Sequence, residues 1–313
     1  MANSAIVVPV ELLIGQLLAL GTAFCWAQNS LIYTYVGRQV SSSATAHVRL
    51  WIAFPLILLV HLLFEGTLWP IITQWQPLLL LGLSGLMGFF VADLFIFAGF
   101  VALGARQTMV VMTTSPIVGA LLAWIFQDER LVFLQIVGIS LTLLGVVWVV
   151  FADGLGTKSK EGMAYRWGLL AALGGSITQA LAMVLAKAGM TAYGVTPLSA
   201  TVIRIAAGLV GIAIFALMRG RFLQDFARFK GGPGRKALVL VALAAIVGPV
   251  LGIIMNLTAL NLAPVGVVTT LSQTTPVILL PLEVYLMKRP ISRSAVFGTI
   301  TAIVGTTLLF LPS

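Results

Sequence analysis

Ten apolar runs, most of them long enough to cross a hydrocarbon core as a helix, follow one another along this chain with only short polar connections between them. The approximate spans are Leu12–Tyr35, Ala44–Phe64, Pro77–Phe100, Ala105–Phe126, Val132–Phe151, Trp167–Thr191, Leu198–Met218, Ala237–Leu260, Pro264–Met287 and Ser294–Leu311. The longest connections, Ala152–Arg166 and Arg219–Lys236, leave no room for a separately folded catalytic domain. Only 9% of residues are charged and 60% are hydrophobic, too few charges to clothe a water-facing surface. The first run lacks a basic leader and is followed directly by another, so it reads as a retained helix rather than a cleaved signal. The expectation is an all-α integral membrane protein lying among lipid.

The net charge of +9 follows from where the basic residues fall. Arg38, Arg106, Lys158, Lys160, Arg166, Arg219, Arg221, Arg228, Lys230, Arg235, Lys236, Lys288, Arg289 and Arg293 all belong to loops on one face. The opposite face, which carries both termini, has only Arg130, and Arg49, Lys187 and Arg204 lie inside spans. Basic loops stay on the cytoplasmic side of an inner (plasma) membrane, which puts both termini outside the cytoplasm. The same pattern removes the reason to expect a nucleic-acid partner. A single Cys25 rules out a disulfide framework, and two His residues do not make a dense metal site. No phosphate-cradling G-x-x-x-x-G-K-[ST] run occurs, which disfavours ATP-driven pumping, and no cofactor is implied.

The two halves of the chain match. Thr114-Ser115-Pro116 corresponds to Thr274-Thr275-Pro276 at an offset of 160, which also carries Gly88 onto Gly248, Gly138 onto Gly298 and Gly145 onto Gly305. The stretch ending in His47-Val48-Arg49 matches the one ending in Val202-Ile203-Arg204 at an offset of 155. Residues 1–151 thus form one five-helix repeat, 152–166 a joining loop, and 167–313 a second repeat. Five is odd, so the second repeat enters the membrane inverted. Inverted repeats around a central cavity are a recurring plan of secondary transporters, although duplication can also merely enlarge a bundle.

Several residues resemble the ten-helix EamA-type members of the drug/metabolite transporter superfamily. They are the polar, aromatic first span with Phe24-Cys25-Trp26-Ala27-Gln28-Asn29, the early Arg49 repeated as Arg204, and Pro116 ahead of Asp128-Glu129-Arg130 and the spaced Gly138 and Gly145. The acidic turn is not repeated: Lys288-Arg289-Pro290 stands there in the second half. Within the superfamily the chain is most similar to bacterial amino acid exporters of the YddG type. The resemblance implies export of neutral and aromatic amino acids.

Pro116 and Pro276 each lack an N–H and free a carbonyl one turn earlier, at Met112 and Ser272. In lipid such carbonyls need partners or a wet cavity. Thr113, Thr114, Ser115, Gln273, Thr274 and Thr275 flank the two breaks and are candidates for binding a polar solute, or else bond back to their own helices. Gln28, Asn29, Tyr33, Gln179 and Asn256 are further candidates to face a cavity. Trp26, Phe89, Phe90, Phe95 and Phe97 could stack on a planar solute or simply pack. Gly82, Gly85 and Gly88, with Gly248 and Gly252, suit close helix contact. Gly138, Gly145, Gly298 and Gly305 read as a packing seam, within the bundle or against a second copy.

Charges inside spans mark pathways or pairs. Asp93 is the candidate proton carrier, with an Arg49 ion pair as the alternative. Its counterpart in the second repeat is the apolar Ile253. Lys187 and Arg204 could receive a substrate carboxylate, unless Asp128 and Glu129 neutralise them. The expected activity is alternating-access export of a small zwitterionic metabolite, with or without proton coupling. The rivals are a channel or scaffold, other cargo such as drugs or nucleotide sugars, and an intramembrane enzyme. His47 and His61 lack the spacing the last of these would need.

Overall fold

The computed structural model describes residues 10–119, 121, 133–154, 162–263, 268, 271–287 and 292–308. Asp128, Glu129, Arg130, Lys158, Lys160 and Lys288-Arg289-Pro290 lie outside the described residues, and with them the acidic turn and its basic replacement. Helices α1 (Val10–Gln39), α2 (Ser42–Glu65), α3 (Trp75–Ala102), α4 (Ala105–Met112) and α5 (Phe133–Gly154) form the first half. The second half contains α6 (Met163–Thr191), α7 (Pro197–Met218), α8 (Gly231–Leu262), α9 (Thr275–Met287) and α10 (Arg293–Leu308). Six of these are long and apolar enough to span a membrane among the described residues: α1, α2, α3, α6, α7 and α8.

Several helices bury many small and polar residues alongside larger ones and turn large apolar residues outward. In α1, Gly15, Ala19, Ala23, Ala27 and Ser30 are buried, whereas Leu13, Leu17, Leu20 and Phe24 are exposed. In α7, Ala200, Thr201, Gly208 and Gly211 face inward while Val210, Ile214 and Leu217 face out. This is how a bundle packs when its solvent is hydrocarbon: large side chains gain nothing by leaving lipid, and small ones let backbones approach.

Helix pairing is symmetric under exchange of the two halves. α3 lies along α6, and its equivalent α8 lies along α1. α4 meets α6 as α9 meets α1, while α2 packs on α7 and α5 on α10. The last pair is the tightest. A side chain at Gly145 would strike the Ala302 amide nitrogen and the Gly298 carbonyl, and one at Gly305 would strike the backbone of Thr142 and Gly138. The glycine seam is therefore a contact inside the bundle, where the equivalent helices of the two halves cross.

The structure alters the sequence-based picture in three places. α8 begins at Gly231, not Ala237, and the basic connection before it contains a short helix, Phe222–Ala227. The fourth span is interrupted at Thr113 and Thr114 before helix resumes at 115–119, and α9 likewise starts after a turn at Gln273 and Thr274. Each interruption directly precedes Pro116 or Pro276, where the ladder has no donor to continue it. Finally, α3 and α8 each contain a π-helical stretch, Leu86–Val91 and Ile246–Gly252, which begin 160 residues apart. No sequence expectation included them, although Gly88, Gly248 and Pro249 sit within them.

Candidate functional site

α3 meets α7 just ahead of its π segment. At Gly85, a side chain would run into the Arg204 backbone, so α3 touches α7 main chain to main chain. Arg204 and Phe89 are buried beside that contact, and α2 brings Arg49 to the same ring. The guanidinium carbons of Arg49 and Arg204 lie 5.9 Å and 5.3 Å from the Phe89 centroid. A cation over an aromatic face is attracted by the ring quadrupole, more strongly when desolvated.

The two arginines differ in their partners. Arg49 donates through Nη2 to Asp93 Oδ2, both side chains being buried. Its guanidinium also sits 5.4 Å from the Tyr33 ring and 5.1 Å from Phe97, themselves stacked at 4.7 Å. Asp93 thus lies in an ion pair. Arg204 is only 1% exposed and has no acidic partner among the described residues. Its Nη2 reaches only the thioether of Met183, 3.9 Å away, and Nε and Nη1 have no hydrogen-bond partner. Gly88 packs closely beside it: a Cβ there would stand 3.1 Å from Ala182 Cβ, 3.3 Å from Arg204 Nη2 and 3.6 Å from Gln179 Oε1.

The remaining candidates divide. Asn29 does not face a cavity; with its carboxamide oriented to suit its neighbours, it donates to the Ala244 carbonyl (3.1 Å) and accepts from Gly248 N–H (2.9 Å). Thr113 and Thr114 donate to the carbonyls of Val110 and Val111, and Thr274 donates to Leu271, so these hydroxyls bond back within their own spans. Thr275 donates to Ser272 O, the carbonyl that Pro276 frees, and also to Ala23 of α1. Thr114 and Ser176 share a 2.7 Å hydrogen bond that joins the first break to α6. Thr114 and Thr275 therefore tie helices together, while Thr113 and Thr274 bond within their own spans. Ser115 and Asn256 are buried, and Trp26, Gln28, Gln179 and Gln273 are half-buried. Lys187 is exposed on the outside of α6 and is not gathered in with Arg204.

Both rims carry polar fastenings that the sequence reading missed. At the basic rim, His47 Nδ1 donates to Asp225 of the short helix (3.1 Å), and Nε2 accepts from Trp51 N–H (3.1 Å). Phe222 and Phe226 pack edge-on against the imidazole at 5.0 Å and 5.4 Å. At the opposite rim, His61 Nδ1 donates to the Thr67 carbonyl (2.5 Å) and Nε2 contacts Ser199 Oγ (2.9 Å). Thr196 donates to Glu65 (2.6 Å), so α2 is fastened to the start of α7. An aspartate in a loop otherwise rich in Arg and Lys was the available clue to the first fastening. Nothing in the local pattern pointed to the second.

The EamA-like transporter family profile matches this chain twice, over residues 13–151 and 166–311. The chain belongs to the EamA-like transporter family. It is accordingly a multi-pass membrane protein that transports small solutes, and the members of this family are transporters rather than enzymes. No curated protein matches it by sequence. One solved crystal structure is similar to EamA-like fold of this chain at 19% identity and a TM-score of 0.65, covering 95% of this chain and 98% of that one. At that identity the likeness speaks for the fold alone.

Proposed function

We propose that this EamA-like protein is a secondary transporter that exports small zwitterionic metabolites, neutral and aromatic amino acids first. The two repeats, 1–151 and 167–313 with 152–166 between them, would rock about the centre where Arg49 and Arg204 flank Phe89. The observation that carries this reading is the exchange symmetry of the packing around a charged, aromatic interior. A bundle whose halves use equivalent contacts can open at one rim or the other at similar cost, which alternating access requires. Hydrogen bonds at both rims supply the fastenings to be exchanged. Asp93 is assigned to the Arg49 pair rather than to a proton cycle. The basic rim is assigned to the cytoplasm of a bacterial-type inner membrane.

Uptake into proteoliposomes across an amino acid panel, with and without a pH gradient, tests the proposal. Saturable uptake that other amino acids compete for, and that ignores the gradient, is the expected result. No uptake above empty vesicles removes the cargo, linear unselective flux favours a channel, and gradient-driven uptake returns Asp93 to a proton role.

A further inference from the structure

We infer that Arg204 is the receptor for a substrate carboxylate, which completes in trans an ion pair that the first repeat makes within the chain. The inference rests on the transporter reading above and names the group by which cargo is held. Arg49 and Arg204 are equivalent positions of the two repeats. The first has Asp93 as its counter-ion, and at the position equivalent to Asp93 the second repeat has Ile253. A buried guanidinium without a partner is costly, and intramembrane charges are kept where they contact ions, substrates or one another.

The surroundings fit a carboxylate borne on a compact zwitterion. Nε and Nη1 of Arg204 are unbonded, and a planar guanidinium offers a paired fork to the two oxygens of a carboxylate. Gly88 is where α3 comes nearest the guanidinium with no side chain of its own in the way, and the Gln179 side-chain oxygen beside it can accept from an ammonium group once the helices part. Phe89 and Met183 supply an apolar, polarizable wall for the rest of the solute. Lys187 plays no part, being exposed.

Thermal unfolding of the purified full chain tests this with neutral amino acids and 3-phenylpropionate, each beside its carboxamide. At least one carboxylate should stabilise the wild type while its amide does not, and Arg204→Gln and Arg204→Met should abolish the shift. In proteoliposomes the same changes should raise KM at least ~30-fold, the loss typical of removing one partner from a buried charge pair. Arg204→Lys, which keeps the charge without the fork, should retain weakened binding. Without ligand, Arg204→Met should melt no lower than wild type, because an unpaired buried charge has been removed. Equal stabilisation by acid and amide, an undiminished shift in Arg204→Gln, no carboxylate binding at all, or a large loss of stability in ligand-free Arg204→Met would each overturn the inference. Arg204-dependent binding of 3-phenylpropionate without any amino acid would refute the amino acid cargo while supporting the carboxylate site. Amino acid uptake unaffected by Arg204→Gln would do the reverse.

Discussion

The Asn29 side chain of α1 bonds to two main-chain groups of α8, the Ala244 carbonyl and the Gly248 N–H. In a regular helix Gly248 N–H would donate to Ala244 O; here the Asn29 carboxamide sits between them and bonds to both. α1 is thereby fastened to α8 at its π segment, and Gly248 is needed because a Cβ there would collide with the amide. Asn29→Leu should lower stability by ~1–3 kcal/mol by leaving polar groups unsatisfied. Gly248→Ala should cost a similar amount. The two residues share one contact, so Asn29→Ala combined with Gly248→Ala should cost less than the sum of the single changes. Melting curves in detergent would settle this, with strict additivity counting against the brace.

Arg49 and Asp93 form one unit and should fail as one. Asp93→Ala strands a buried guanidinium and should cost ~3–5 kcal/mol, whereas the double change Arg49→Met, Asp93→Leu should recover most of the loss. Folded yield and melting temperature measure both. A double variant no better than the single ones would mean that the pair does more than cancel charge.

Glycines that look alike in the sequence should respond differently. Gly145→Ala places a Cβ against the α10 backbone, which cannot swing aside, and should cost ~1–3 kcal/mol. Gly82→Ala meets nothing within 4 Å and should be neutral or gain up to ~1 kcal/mol from helix propensity. Equal effects on melting would contradict the seam between α5 and α10.

The His47, Trp51 and Asp225 fastening should control access at the basic rim. In a Cys25→Ser background, Ser43→Cys places a thiol in the crevice beside His47 and Asp225. Trp51→Phe removes one hydrogen bond worth ~0.5–1.5 kcal/mol, so modification by a membrane-impermeant maleimide should quicken ~2–12-fold. Unchanged labelling would show that the rim is held by other contacts.

The sequence made the membrane class, the repeat and the helix order legible because apolar length and fixed offsets are one-dimensional signals. It did not distinguish Asn29 from Gln28, because a buried carboxamide that braces a helix and one that greets a solute are the same residue in a list. The hydroxyls at Pro116 and Pro276 invited a binding role for the same reason; only geometry shows Thr275 bonded to the carbonyl that the proline releases. Arg204 was visible as an in-span charge. That it has no acid beside it among the described residues, while Arg49 does, depends on which helices touch.

The matching bulges in α3 and α8 carry a historical consequence. An irregularity that begins at the same register in both halves is most simply inherited from a single five-helix unit that was copied. The contrast between Asp93 in one repeat and Ile253 at the equivalent position of the other is then a difference acquired after the copying, within an architecture both halves share.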